Sequence, residues 1–440
     1  MVGNASLKVL ENNNNYEREN QPQAALDKKI RKFTDNNSKE SFSYWKQNYY
    51  PHTEFITFPH EEVINTEPNW GSSFKVTLSK YGDLLHKMWL QIRIPPVVDN
   101  SNTFEWVSWL GHVLIKEVTL EIGPEIISRN YGQFMQIDHE LQSKTGHQYG
   151  YSDMIGNTIV PSEGGTIIVP IDLFFTKLSH LSLPICALYW NDITISIQFE
   201  SLENLYRGGD SNLSIGDIED VTLMSERVHI SQAEKRKFIE KDKILHYPVE
   251  TIQRTKEFFQ QRQQLIELPF INNVSELLWV VLPQKNINDA TVPNQWFNFT
   301  DKTVSDTKNI PEIGSVGGEA LSGNNPVETA EFLLDGSSLF SKKSGIYFNR
   351  LQPYHNHNNI PPSKGINMYS FSVYPEWSFQ PSGTINMNGF TSKRLRLSLT
   401  AESINATGGS TNGADVYVYA RTMRQLMISN GSARLDMYNY

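Results

Sequence analysis

From residue 55 onward the dominant spacing of apolar side chains is two. Phe74, Val76 and Leu78 alternate with Lys75, Thr77 and Ser79, and after the turn signal Tyr81-Gly82-Asp83 the positions Met88, Leu90, Ile92 and Ile94 alternate as far as Pro95-Pro96. A period of two sends successive side chains to opposite faces of an extended chain, so these segments predict half-buried strands. The pattern recurs at Val118, Leu120 and Ile122, at Ile193–Phe199, and at Val221, Leu223, Val228 and Ile230. In the second half it returns at Phe332 and Leu334, at Met368–Val373, at Leu395, Leu397 and Leu399, and at Val416 and Val418. Connections rich in Gly, Pro, Asn and Ser separate these runs, and long stretches of 3.6-residue period are scarce. The chain therefore predicts an all-β fold of antiparallel sandwiches, with short helices confined to connections.

Three segments break the alternation. Residues 1–43 read as a polar arm, within which Leu26, Ile30 and Phe33 fall at helical spacing while Lys28, Lys29, Arg31 and Lys32 cover the remainder, the pattern of a short basic amphipathic helix. Such a helix suits docking on a partner or an anionic membrane, or simple capping of the domain. Ser231–Lys243 lacks Gly and Pro and carries charges of both signs, which suggests a solvated helical or extended linker near the midpoint. Glu125–Leu141 is expected to hold a short helix over a sheet. A weak self-similarity joins the halves: Val118–Gly123 echoes Glu331–Gly336, Ile193–Phe199 echoes Leu395–Leu399, and Val221–Ser231 echoes Val416–Ser429, in the same order along the chain.

Composition narrows the function. The 440 residues carry a formal charge of −9, which disfavours broad nucleic-acid coating, and no apolar run approaches the roughly 20 residues of a membrane-spanning helix. Neither does the start of the chain hold the apolar stretch of a secretory signal, so assembly in the cytoplasm is the expectation. The single cysteine, Cys186, lies in an apolar stretch and removes any disulfide framework. Candidate chemistry is thin. Asp138-His139-Glu140 contains acid–base residue types but adjacent side chains diverge, so an exposed polar turn is expected. His355 and His357 have a spacing a metal can use, yet no acidic or thiol ligand stands near them in sequence. Gly314-Ser-Val-Gly317-Gly318 lacks the Lys-Ser/Thr of a phosphate loop. No catalytic residue, metal or cofactor is assigned.

Several segments taken together carry a resemblance. Trp45-Lys-Gln-Asn-Tyr-Tyr-Pro-His-Thr-Glu-Phe55, Tyr81-Gly-Asp-Leu-Leu85, Glu117–Gly123 and Leu183-Pro-Ile-Cys-Ala-Leu188 are followed by Gly345-Ile-Tyr-Phe-Asn-Arg-Leu-Gln-Pro-Tyr354, Tyr369-Ser-Phe371, Gln380-Pro-Ser-Gly383, Val418-Tyr-Ala420 and Met427-Ile-Ser429. In this order they resemble the major capsid proteins of large icosahedral double-stranded DNA viruses, of the iridovirus and phycodnavirus type. The arm is longer than that family's, Tyr50-Pro51 replaces its usual arginine pair, and the loops 284–325 and 402–414 follow no pattern of the family.

The resemblance implies a tandem double jelly roll of two eight-stranded sandwiches: an arm over 1–43, jelly rolls over 44–230 and 247–440, and a linker over 231–246. It further implies a non-enzymatic capsid subunit of the virion, forming pseudo-hexagonal homotrimers that tile a shell over an internal membrane, in contact with minor capsid proteins. The arm is the candidate membrane-facing element. Trimer interfaces of this kind are aromatic-rich and bury about 2,000–5,000 Å². Trp45, Tyr49, Tyr50, Trp106, Trp109, Trp190, Tyr347, Phe348, Tyr354 and Trp377 are the candidate anchors, each with the alternative of serving its own core. Three rival functions remain open. One is a minor shell paralogue of the same fold. Another is a carbohydrate-binding sandwich that uses Tyr374 and Trp377. The last is a metal-dependent β-sandwich enzyme built on His355 and His357.

Overall fold

The computed structural model describes residues 45, 52–99, 103–144, 146–208, 213–240, 243–287, 294–303, 323–405 and 413–436. The basic helix pattern at Leu26–Phe33, Tyr49, Tyr50 and the glycine loop at 314–318 lie outside the described residues. The chain divides into a small unit ending at Glu54, in which Trp45 is 91% exposed, and a large unit, Phe55–Tyr440.

The first half of the large unit holds β1 (Phe55–Glu62), β2 (Ser73–Thr77), β3 (Leu84–Ile94), β4 (Ile115–Ile122), β5 (Glu125–Asn130), β6 (Gly165–Pro170), β7 (Ile193–Phe199) and β8 (Asp220–Ile230). The second half holds β9 (Leu245–Phe259), β10 (Gln263–Glu267), β11 (Asn273–Pro283), β12 (Val327–Leu334), β13 (Ser337–Ser338), β14 (Asn367–Ser370), β15 (Lys393–Leu399), β16 (Ala414–Ser429) and a C-terminal β17 (Ser432–Asp436). The sheets of the first half have the strand orders β1-β8-β3-β6 and β2-β7-β4-β5; those of the second have β9-β16-β11-β14 and β10-β15-β12-β13. Adding eight to each strand of the first half gives the second. All pairings are antiparallel. The sequence echoes fall on equivalent strands, β4 with β12, β7 with β15 and β8 with β16. The turns that follow β4 and β12 both need left-handed backbone, at Gly123 (φ 59°) and at Asp335-Gly336 (φ 48° and 81°).

Within each strand the alternation does what the pattern predicts. Met88, Leu90, Ile92 and Ile94 of β3 are all buried, and so are Ile193, Ile195, Ile197 and Phe199 of β7. β11 departs from it, because every residue of Asn273–Pro283 is buried. Leu277, Trp279 and Val281 enter the core of the second sandwich, while Leu278, Val280 and Leu282 belong to an apolar cluster continuous with the core of the first. The first sandwich thus covers the outer face of β11, which is why Leu277–Leu282 reads as an unbroken apolar run.

The helix expected within Glu125–Leu141 is α2 (Gly132–Gln142), and a strand that the pattern does not predict, β5 (Glu125–Asn130), precedes it, hydrogen-bonded to β4 through a bulge. The bulge is at Ile127, which has no partner on β4 because Leu120 faces Ser128 and Glu121 faces Ile126, and it interrupts the period of two within β5. A helix over Gln232–Ile239, N-capped by Ser231, is followed by β9 from Leu245.

α2 packs against α1 (Leu110–Leu114) at a point only glycine allows. A Cβ on Gly132 would stand 2.0 Å from the His112 carbonyl oxygen and 2.1 Å from that of Ile115. Gly132→Ala is expected to cost about 1–3 kcal/mol by overpacking. An unchanged urea unfolding midpoint for this variant would contradict the close approach.

Candidate assembly surfaces and the buried ionic cluster

Charged side chains that lie far apart in sequence meet where the two sandwiches touch. Antiparallel register sets Arg421 of β16 opposite Glu276 of β11, with Glu250 on the neighbouring β9. The fully buried Arg421 guanidinium donates through Nε to Glu276 (2.6 Å), through one terminal nitrogen to Glu250 (2.5 Å) and through the other to Asp138 of α2 in the first sandwich (2.5 Å). Lys177, from the connection after β6, reaches Asp138 and Glu250 at 3.1 Å each. On the far side His357 lies between Glu276 (2.9 Å) and Glu376 (2.8 Å). Burial works against every charge here, so the cluster exists only because each ion meets an opposite one.

Protonation follows the geometry. Burial pushes the Asp138 carboxyl up, but Arg421 and Lys177 outweigh it and hold the group below the usual carboxylate range. Glu276 is lowered likewise, against its burial, by Arg421 and His357. For His357 burial favours the neutral ring, yet Glu276 and Glu376 overcome it and raise the pKa to about 9. A histidine raised from 6.5 stabilises the fold fully below its unfolded value and loses that contribution as pH climbs through the folded one. Thermal stability is therefore expected to fall between about pH 6.5 and 9 in the wild type. The drop should be absent from His357→Gln, and parallel pH profiles for the two proteins would refute the assignment.

The residues singled out from sequence separate into distinct fates. Asp138-His139-Glu140 is not an exposed turn: α2 is packed, and the three side chains diverge to Arg421, to the Tyr151 ring (4.0 Å between centroids) and to the Ser363 N–H and hydroxyl (3.2 and 2.9 Å). His355 is exposed while His357 is inside the ionic cluster, so the two imidazoles do not share a ligand. Among the described residues no group of three or more His, Cys, Asp or Glu is arranged to hold a metal, and no helix is long and apolar enough to cross a membrane. Cys186 is half-buried, and burial beside Asp83 raises its thiol to about 11, which keeps it protonated and unreactive at neutral pH.

The aromatic candidates divide by exposure. Trp106 is buried against Trp70 and Phe104, and Phe348 is buried edge-on to Trp279 in the second core. Trp109 and Tyr347 are half-buried. Trp190, Tyr354 and Trp377 are 74%, 68% and 48% exposed. Trp377 stacks on Tyr374 at 4.4 Å and on Phe379 at 5.8 Å, forming an exposed ladder of rings. Arg421, Glu276, Glu250 and Lys177 went unnoticed in sequence. The local hint that could have found them is a pair of charges, Glu276 and Arg421, set within otherwise apolar strands.

Two family models cover this architecture end to end: a major capsid protein N-terminus over residues 43–228, and the large eukaryotic DNA virus major capsid protein over residues 226–434. The chain belongs to the major capsid protein family of large eukaryotic DNA viruses. The major capsid protein of Phaeocystis pouchetii virus is 25% identical, over 90% of this chain and 95% of its own length. That of Pyramimonas orientalis virus is 26% identical, over 81% and 86%. The fold matches the crystal structure of PBCV-1 VP54 with a TM-score of 0.73 at 20% identity, over 90% of this chain and 100% of the other. A double jelly roll is the fold of this capsid protein, as its repeated strand order requires.

Proposed function

We propose that this capsid protein is the major, non-enzymatic subunit of a large icosahedral double-stranded DNA virus, assembling as a homotrimer whose six sandwiches give a pseudo-hexagonal tile. The supporting observation is the identical strand order of the two halves. Three copies of a chain with two like lobes present six like faces, so a three-fold assembly can fill a hexagonal lattice. The lobes in this reading are 44–230 and 247–440, and the ionic cluster holds them as one rigid piece. Trp190, Tyr354 and Trp377 are exposed enough to serve between subunits; Trp106 and Phe348 serve their own cores. Minor capsid proteins and, through the arm at 1–43, an internal membrane are the further partners, with assembly in the host cytoplasm and no direct nucleic-acid contact.

Size-exclusion chromatography with light scattering, followed by negative-stain imaging, tests this reading. A mass near three chains and a hexagonal outline are expected. A monomer at micromolar concentration would refute it. Deleting residues 1–40 is expected to leave the trimer intact and impair shell assembly.

A further inference from the structure

A cavity of about 390 Å³ opens between the two sandwiches, and none of the cluster's charged residues lines it. Lys116 and Glu200 line it from the first sandwich, and Arg254, Lys256, Asp415 and Tyr417 from the second. Its wall is held by the Trp296 indole N–H, which donates across the lobes to the Asn204 carbonyl (2.7 Å). Two of the three cations have carboxylate partners: Lys256 pairs with Asp415 at 3.0 Å and Lys116 with Glu200 at 3.7 Å. Arg254 does not. Its guanidinium lies over the Tyr131 ring, 4.0 Å from the centroid, and beside the Tyr419 hydroxyl, and among the described residues no carboxylate pairs with it. Three cations against two carboxylates leave one positive charge, and His112 adds none because burial lowers it to about 3.

The cavity has the size of a small-ligand site, and its mixed walls set Val113, Ile115, Ile287, Trp296 and Phe297 beside charged and amide side chains, among which Arg254 is the cation without a carboxylate partner. A half-buried guanidinium fixed against a ring is pre-organised for bidentate contact with a planar anion. We propose that this cleft binds an organic carboxylate with a short apolar body, whose two oxygens are held by Arg254 while the body packs against Tyr417 and Trp296. Because both sandwiches line the cleft, the bound acid bridges them and stiffens the subunit. The carboxylate can come from a free organic acid or from an acidic side chain of another polypeptide, since the chemistry of recognition is the same.

Matched pairs separate these sources and test the site on the full-length protein by isothermal titration. Phenylacetate is compared with phenylacetamide, and a capped Glu-Phe dipeptide with its Gln-Phe counterpart. At least one acid is expected to bind about tenfold more tightly than its neutral partner, with Arg254→Gln abolishing that preference. Selectivity for phenylacetate identifies a free acid; selectivity confined to the Glu-Phe dipeptide identifies a polypeptide side chain. The wild-type acid-to-amide ratio does not depend on how well the variant folds. The proposal is overturned by equal binding of acid and amide in both pairs, by selectivity that survives Arg254→Gln, or by no saturable binding up to about 10 mM.

Discussion

Arg421→Met is expected to destabilise the protein by about 3–5 kcal/mol, because it leaves Asp138, Glu250 and Glu276 buried without their shared cation. That is a large share of the about 5–15 kcal/mol that holds a typical domain together. The methionine fills much of the vacated volume, so the loss reports charge rather than a cavity. Arg394→Met is the control: its partner Glu267 is exposed, and a change under about 1 kcal/mol is expected there. Adding Glu276→Gln and Asp138→Asn to Arg421→Met should recover part of the loss, since the penalty lies in buried carboxylates that then outnumber the cations left to them, Lys177 and His357. Urea unfolding of the single and combined variants measures all of this. A small effect for Arg421→Met alone, or further additive loss in the combination, would show that the cluster is not what couples the lobes.

The second sandwich expressed alone, as residues 243–440, is expected to aggregate or to remain molten. Removing the first sandwich bares Leu278, Val280 and Leu282 on β11 together with Tyr247, Val249, Tyr419, Leu426 and Ile428, all of which belong to the cluster shared with the first core. Each such side chain returned to water forfeits roughly 1.5–3 kcal/mol, and the apolar patch exceeds what soluble monomers tolerate. It also opens the ionic cluster on one side. The measurable signs are dye binding, retained far-ultraviolet and lost near-ultraviolet circular dichroism, and rescue by co-expression of residues 1–242. A soluble monomer with one cooperative unfolding transition would mean that each sandwich is stable by itself and that the interface is incidental.

Both expectations concern the seam between the lobes, and the seam is where sequence reasoning was weakest. Asp138 looked like part of a polar turn because its partner Arg421 lies 283 residues away. His357 looked like half of a metal pair because its neighbour in sequence is His355, whereas its neighbours in space are Glu276 and Glu376. The ten aromatic candidates could not be divided between core and surface, since large rings serve both, and the split between Trp106 and Trp190 came only with their packing.

What the sequence by itself determined is the strand: a period of two, broken by turn residues, assigns each side chain to one of two faces without reference to the rest of the molecule. It also carried the tandem repeat, because β4 and β12, β7 and β15, and β8 and β16 meet the same local demands in two equivalent places. Only the tertiary structure decided which outward faces stay wet. The outer face of β11 is dry, and Arg421 is stable there, because a second sandwich lies against it. Alternation along a strand distinguishes its two sides but says nothing of what will cover them, and a buried charge is acceptable only where distant segments deliver its counter-ions.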